Sequence, residues 1–316
     1  METMGAHFSA IIESKENLPP GDRSYESARS GLYALLISTG ALRIHVPNYI
    51  CEAILDAAYA AGVNAIAYEI NENFEFVGEL ELQPLDLVLL VDYFGLTEDA
   101  VYRQLERLPK TRVIVDCSQA YFQKPFDCLA TIYSPRKFIP VADGGFVNTK
   151  LALECEASDE NASLERYGYL LKRISTEPES SRDAYLRAED SLKSIALKSM
   201  SLFSRSIAAS ADHAFITSRR SANFKLLSTL ASINKLDFPI GNQTPLCYPL
   251  MVKNAAELRE NLKGKRVFTP KYWPNLIPLS EFERLLVEDT VYLPVDHRYG
   301  DEHMLYMVDL IMSFYA

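Results

Sequence analysis

The chain has 316 residues, of which 48% are hydrophobic and 23% charged, and it carries a formal net charge of -10. That length and apolar content suit one substantial core plus a smaller satellite domain, not a disordered chain. The acidic balance excludes a nucleic-acid footprint, which needs clustered Lys and Arg to displace counterions from phosphates.

The first segment, METMGAHFSAIIESKENLPP, lacks a basic stretch followed by an apolar one, so a cytoplasmic address is expected. SARSGLYALLISTG reads as a helix that stops at Gly40, ALRIHVP as a strand, and NYICEAILDAAYAAG as a second helix ending at Gly62. The apolar stripe of that second helix is Ile50, Ile54, Leu55 and Ala58. NAIAYEI, DLVLLVDYF, TRVIVDCS, CLATIYS and GGFVNT follow as strands, with TEDAVYRQLERLP as a helix between two of them. Their apolarity on both faces predicts a mostly parallel α/β sheet covered by helices on both sides. The longest apolar stretch, LDLVLLVDYFGL, is interrupted by Asp92 and is far shorter than the roughly 20 residues of a membrane span, so no membrane partner is expected.

After Thr149 the composition turns polar, and the segment to about Leu236 reads as mainly helical. From Thr244 the pattern is CYPLMV as a strand, NAAELRENLKGK and SEFERLLVED as helices, TVYLPV as a strand and DEHMLYMVDLIMSFYA as a closing amphipathic helix. Asn254 with Glu257, and Ser280 with Glu283, have the spacing of reciprocal N-terminal caps. This divides the chain into a large domain, 1–240, with a helical extension, and a small C-terminal α+β lobe, 241–316. The five cysteines, Cys51, Cys117, Cys128, Cys155 and Cys247, are odd in number, scattered and without metal-ligand spacing, so reduced thiols and no metal site are expected.

The chemistry concentrates in VIVDCSQAYF and, about a dozen residues later, YSPRKFIPVADGG. Both polar clusters follow strands, and ligands of open α/β sheets bind at the carboxyl ends of strands, so Asp116, Gln119, Ser134 and Lys137 are expected to converge there. A lysine that forms an imine with an aldehyde must lose its proton, which desolvation and a neighbouring cation such as Arg136 promote. Asp116 suits an acid held against a pyridine nitrogen, Gln119 can donate to a phenolate oxygen, and Ser134 can reach a phosphate. SARSG leads into a helix whose first N–H groups, with Arg29, Ser30 and Gly31, offer a second phosphate contact. His297 and Arg298 in PVDHRYG are candidates for an anionic substrate group, Trp273 for a cleft wall, and Asp92 for a cleft acid. Each of these also has an ordinary structural explanation as a cap, a packing ring or a solvated loop.

With these stretches the chain resembles the DegT/DnrJ/StrS-type sugar aminotransferases of the pyridoxal-phosphate (PLP) fold type I superfamily. The likeness runs through SARSGLYALL, VPNYICEAILDAAYAAG, DYFGL, VIVDCSQAYF, SPRKFIPVADGG, PLCYPLMV and VYLPVDHRYG, and D-x-x-Q followed by S-x-x-K and Gly-Gly is its most specific part. The resemblance implies PLP bound as a Schiff base on Lys137, Asp116 on the pyridine nitrogen, Gln119 on the phenolate, and Arg29, Ser30 and Ser134 on the phosphate. It implies amino transfer from an amino-acid donor, typically glutamate, to a nucleotide-linked ketosugar, by a homodimer with sites at its interface. An aromatic ring usually lies over the cofactor where this chain has Cys51, and Tyr49, two residues earlier, is the candidate substitute. The G-Y-N-x-R-like segment of relatives has no clear counterpart between Arg166 and Leu230. A PLP-dependent sugar dehydratase or lyase and a non-catalytic binding relative are the competing readings. Dehydratases of the family replace the lysine by histidine, and a silent scaffold would need none of the four clustered polar residues.

Overall fold

The computed structural model describes residues 23–241 and 243–316, so the N-terminal stretch METMGAHFSAIIESKENLPP, on which the cytoplasmic expectation rests, lies outside the described residues. The large unit contains β1 (Arg23–Tyr25), α1 (Ala28–Thr39), β2 (Arg43–Pro47), α2 (Glu52–Ala60), β3 (Asn64–Tyr68), β4 (Asp86–Val91), α3 (Glu98–Leu105), β5 (Val113–Cys117), β6 (Ala130–Tyr133) and β7 (Gly145–Thr149). These strands form a 7-stranded sheet in the order β1-β7-β6-β5-β4-β2-β3. Pairing is parallel from β6 through β5, β4 and β2 to β3, and β7 runs antiparallel to both its neighbours. Every residue of β4, β5 and β6 is buried, as expected of a parallel sheet enclosed on both faces.

Local chemistry sets the element ends. Ser27 caps α1 by accepting the Ser30 N–H, and Gly40 closes it in the left-handed conformation at φ 62, where a Cβ would be strained. In α2 the buried residues are Ile54, Ala57 and Ala58, whereas Leu55 is exposed; the helix turns the alanine edge of its apolar stripe inward.

The polar middle of the chain is helical, with α4 (Glu160–Ser175) and α5 (Pro178–Ser191) as an antiparallel hairpin, then α6 (Leu202–Ser210) and α7 (His213–Leu227). Beyond it, β8 (Cys247–Met251) and β9 (Thr290–Pro294) form their own antiparallel pair, packed with α8 (Ala255–Gly264), α9 (Glu281–Glu288) and α10 (Asp301–Tyr315). Neither reciprocal cap forms. Asn254 is left-handed at φ 57 and makes no side-chain cap. Ser280 does accept the Glu283 N–H, but the Glu283 carboxylate bonds Asn48 Nδ2 and the Ile70 and Leu279 N–H groups instead of returning to Ser280. A carboxylate expected to serve its own helix thus ties α9 to the large sheet.

Candidate active site

Strand direction brings the candidate residues to one edge. Asp116 lies opposite Ile132 in the parallel β5–β6 pair, and Ser134 follows β6 directly, opening the short 3-10 turn Pro135–Lys137. Strand β7 starts at this same edge because it is antiparallel, and Tyr25, the last residue of β1, pairs with Gly145 there, so α1 begins beside it. The glycine pair makes the approach possible. A Cβ on Gly145 would lie 2.2 Å from Ser27 C and Ala28 N, and one on Gly144, at φ 133, would lie 2.9 Å from Pro135 Cγ. The start of α1 and the Lys137 turn are therefore pressed together around Gly144–Gly145.

At the α1 terminus Ser27 Oγ takes the Ser30 N–H at 3.1 Å and donates to Ser30 Oγ at 3.1 Å. Ser27 is absent from the sequence candidates, although its spacing of three from Ser30 is an N-cap signal, and it places a further hydroxyl at this terminus. Arg29 reaches the Leu192 carbonyl at 3.5 Å and Asp56 at 3.5 Å, and its buried Nε has no partner among the described residues. This terminus, with its hydroxyls, the orphaned guanidinium nitrogen and Ser134 across the glycine pair, is a donor set that fits a phosphate.

Asp116 and Gln119 each commit one polar atom to the backbone. Asp116 Oδ1 accepts the Ser118 N–H at 2.7 Å, and Gln119 Oε1 accepts the Phe94 N–H at 2.8 Å. Asp116 Oδ2 and Gln119 Nε2 have no hydrogen-bond partner among the described residues, so an acceptor and a donor stay available for a pyridine nitrogen and a phenolate oxygen.

Lys137 departs from expectation in its surroundings. It is exposed, so this chain by itself does not supply the desolvation a carrier lysine was expected to have. The neighbouring Arg136 guanidinium pairs with Glu189 of α5. Tyr49 has no face to lay over a cofactor: it is 0% exposed, its hydroxyl bonds Tyr292, and Trp273 packs edge-on at 4.3 Å. Trp273 itself is a packing ring, between Tyr49 and Tyr93. Cys51, half-buried, precedes α2 without capping it. Asp92 is fully buried, its Oδ1 accepting the Thr97 N–H, and burial lifts its carboxyl to about 7. Arg298 is chelated by Asp296 at 2.7 and 2.9 Å, which neutralises it as an anion receptor.

Two arginines without sequence signals contact neighbours of these residues. Arg166 of α4 reaches Glu26 at 3.4 Å and Asp143 at 3.9 Å, the residues immediately before Ser27 and Gly144. Burial raises the Glu26 carboxyl against the pull of Arg166. Arg220 of α7 is 2% exposed, donates to the Pro245 and Leu246 carbonyls, and lies 4.6 Å over the ring of Phe138, next to Lys137. Burial lowers its pKa to about 10. A cavity of about 950 Å³ opens between the α4–α5 hairpin and the C-terminal lobe, lined by Pro140, Tyr169, Tyr185, Phe268 and Met307 among others.

No protein-family model and no curated protein matches the sequence. Solved structures do match in shape. DesI, described with its TDP-sugar product, is 18% identical with a TM-score of 0.63, over 94% of this chain and 80% of that one. A DegT DnrJ EryC1 StrS aminotransferase from Brucella abortus is 13% identical with a TM-score of 0.60, over 92% and 85% of the two chains. The Streptococcus pneumoniae protein Spr1654 in its PLP form is 13% identical with a TM-score of 0.61, over 91% and 85%. At these identities the likeness defines the fold: a mostly parallel sheet flanked by helices with a smaller α+β lobe, that of the PLP-dependent transferases of fold type I.

Proposed function

We propose that this protein is a PLP-dependent aminotransferase that moves an amino group from an amino acid, with glutamate as the first candidate, to a nucleotide-linked ketosugar for polysaccharide or glycoside biosynthesis. What supports the reading is the sheet edge where β5 and β6 end, at Asp116 and Ser134, with the α1 terminus and the Pro135–Lys137 turn packed against Gly144–Gly145 and Gln119 just beyond β5. PLP, when bound, supplies an electron sink for an amino-acid carbon that loses its proton. The α1 N–H groups, Ser27, Arg29, Ser30 and Ser134 would hold the phosphate, and Gly31 keeps the helix close to β7, where a Cβ would meet Val147 at 2.7 Å. Asp116 Oδ2 would keep a proton on the pyridine nitrogen, Gln119 Nε2 would donate to the phenolate oxygen, and Lys137 would carry the cofactor and then move a proton as an amine. Cys51 is left as the residue of the Tyr49–Cys51 pair able to contact the ring.

The cavity beyond Pro140 suits the bulk of a nucleotide sugar, and its mixture of tyrosines and cations offers both base stacking and phosphate pairing. The open position of Lys137 supports a homodimer in which the second copy closes the cleft. The separate β8–β9 sheet supports a division into 1–240 and 241–316. No described helix is long and apolar enough to cross a membrane, and five unpaired thiols accord with a cytoplasmic setting.

The test supplies 15N-glutamate and nucleotide-linked ketosugars and follows the label by mass spectrometry. Label in the sugar with release of 2-oxoglutarate is expected. If glutamate, glutamine, aspartate and alanine all fail while PLP is held on Lys137, transamination is excluded.

A further inference from the structure

Gln119 has two different ends, and the end facing the cleft decides whether it donates or accepts there. The residue is 4% exposed, and its Oε1 takes the Phe94 N–H at 2.8 Å. Only the oxygen can accept that bond, so a flipped amide would forfeit it. The geometry depends on Phe94 lying in the left-handed region, at φ 59 and ψ 5, inside the 3-10 turn Tyr93–Gly95. An aromatic residue stays there only when its surroundings enforce it.

The enforcement comes from the C-terminal side. Leu246 N–H donates to the Phe94 carbonyl at 2.7 Å. The Phe94 ring, fully buried, stacks on Tyr272 with centroids 6.1 Å apart and meets Tyr292 of β9 at 5.3 Å. At Gly95, φ 68, a Cβ would lie 3.0 Å from the Thr244 carbonyl and 3.2 Å from that of Gln119, so the connection into the lobe and the Gln119 turn close on the same residue.

We propose that Phe94 is a positioning residue: held left-handed by the C-terminal lobe, it locks the Gln119 amide so that Nε2 is the end presented to the cofactor. The proposal rests on the PLP reading above. It makes docking of the lobe a condition for the phenolate donor, through one residue that touches neither substrate nor cofactor.

The test compares Phe94→Ala, Phe94→Gly and Phe94→Asn with the unaltered protein, reading the pH midpoint of the bound cofactor's visible absorbance. Losing a donor to the phenolate oxygen favours its protonated form, so the midpoint moves up by about one pH unit. Gly and Asn accept the left-handed conformation and Ala does not. Positioning therefore predicts Ala as the most shifted variant, with Gly and Asn nearer the unaltered protein. A packing role predicts the reverse for Gly, which removes the most side chain. Gln119→Glu, with an oxygen at both ends, should reproduce or exceed the Ala shift. Asp92, buried nearby, is common to all variants and cancels in the comparison. An Ala midpoint equal to that of the unaltered protein, or a Gly shift as large as Ala, overturns the proposal.

Hydrogen exchange of the Phe94 amide in cofactor-free protein supplies a second arm, with at least tenfold faster exchange expected in Gln119→Leu. Unchanged exchange also overturns the proposal. If the unaltered protein binds no PLP but that exchange effect is present, the PLP reading fails while the Phe94–Gln119 lock stands.

Discussion

Gly145→Ala links the packing of the sheet to the chemistry at its edge. The added Cβ would lie 2.2 Å from Ala28 N and Ser27 C and 2.5 Å from Ser27 O, all backbone atoms that no rotamer change can move aside. Ordinary contact begins at about 3.4 Å, so the first turn of α1 must retreat from β7 by roughly 1 Å. Overpacking of this kind costs about 1–3 kcal/mol of stability. The retreat also displaces the N–H groups and hydroxyls assigned to the cofactor phosphate. Weakening one or two charge-assisted hydrogen bonds, each worth about 1.5–3 kcal/mol, raises the PLP dissociation constant by roughly ten- to several hundred-fold. Urea unfolding of the cofactor-free protein and fluorimetric PLP titration read the two effects separately. Gly168→Ala is the control, because a Cβ there, in the middle of α4, meets nothing within 4 Å, and it should be neutral or slightly stabilising. If Gly145→Ala matches that control in both stability and PLP affinity, α1 is not held where the geometry requires and the phosphate assignment fails.

Asp116→Asn should still bind PLP but lose about a hundredfold or more in turnover, because an amide cannot keep a proton on the pyridine nitrogen; steady-state rates near those of the unaltered protein would remove Asp116 from the mechanism. Asp92 titrates near pH 7, raised by burial from 3.8, so stability is lost as pH rises from about 4 through 7 and the acid ionises inside the core. Asp92→Asn keeps the bond to Thr97 and should therefore be near neutral at pH 5 and stabilising at pH 8, by up to about 4 kcal/mol from a shift of roughly 3 units; equal effects at both pH values in urea melts would refute this. Asp86 runs the opposite way: burial alone would raise its carboxyl, but the Arg43 guanidinium at 2.7 and 2.8 Å, with the Gln83 N–H and His45, pulls it down to about 2. That stabilisation is complete above about pH 4 and lost as pH falls toward 2. Arg43→Met should destabilise the protein at pH 7 and do so less at pH 3, where Asp86 begins to protonate; equal losses at the two pH values in urea melts would refute the pairing.

Much of the scaffold was legible because it is local. DLVLLV and VIVDC are short, apolar on both faces and bounded by turn residues, which leaves little choice but buried parallel strands, and strand polarity then places Asp116 and Ser134 at one edge. What escaped was tertiary. Asn254–Glu257 and Ser280–Glu283 share a spacing, yet Asn254 is spent on a left-handed turn and the Glu283 carboxylate on Asn48 and Ile70, more than 200 positions away. Tyr49 is sealed by Trp273 and by Tyr292, its hydroxyl partner 243 positions on, which no local pattern announces. Arg166 and Arg220 sit among ordinary helical charges in sequence, and only folding sets one against Glu26 and Asp143 and the other over Phe138. Glu189 of α5 as the partner of Arg136 is likewise a tertiary fact, 53 positions away in the chain.

The central claim is that Lys137 carries the cofactor, and covalent trapping measures it without requiring any turnover. Protein loaded with PLP is reduced with borohydride, digested and mapped by mass spectrometry. The pyridoxyl group is expected on the peptide containing SPRKF, at Lys137, and the yellow absorbance should disappear on reduction and be absent from Lys137→Ala. Label on another lysine, or the same absorbance and trapping in Lys137→Ala, would contradict the account.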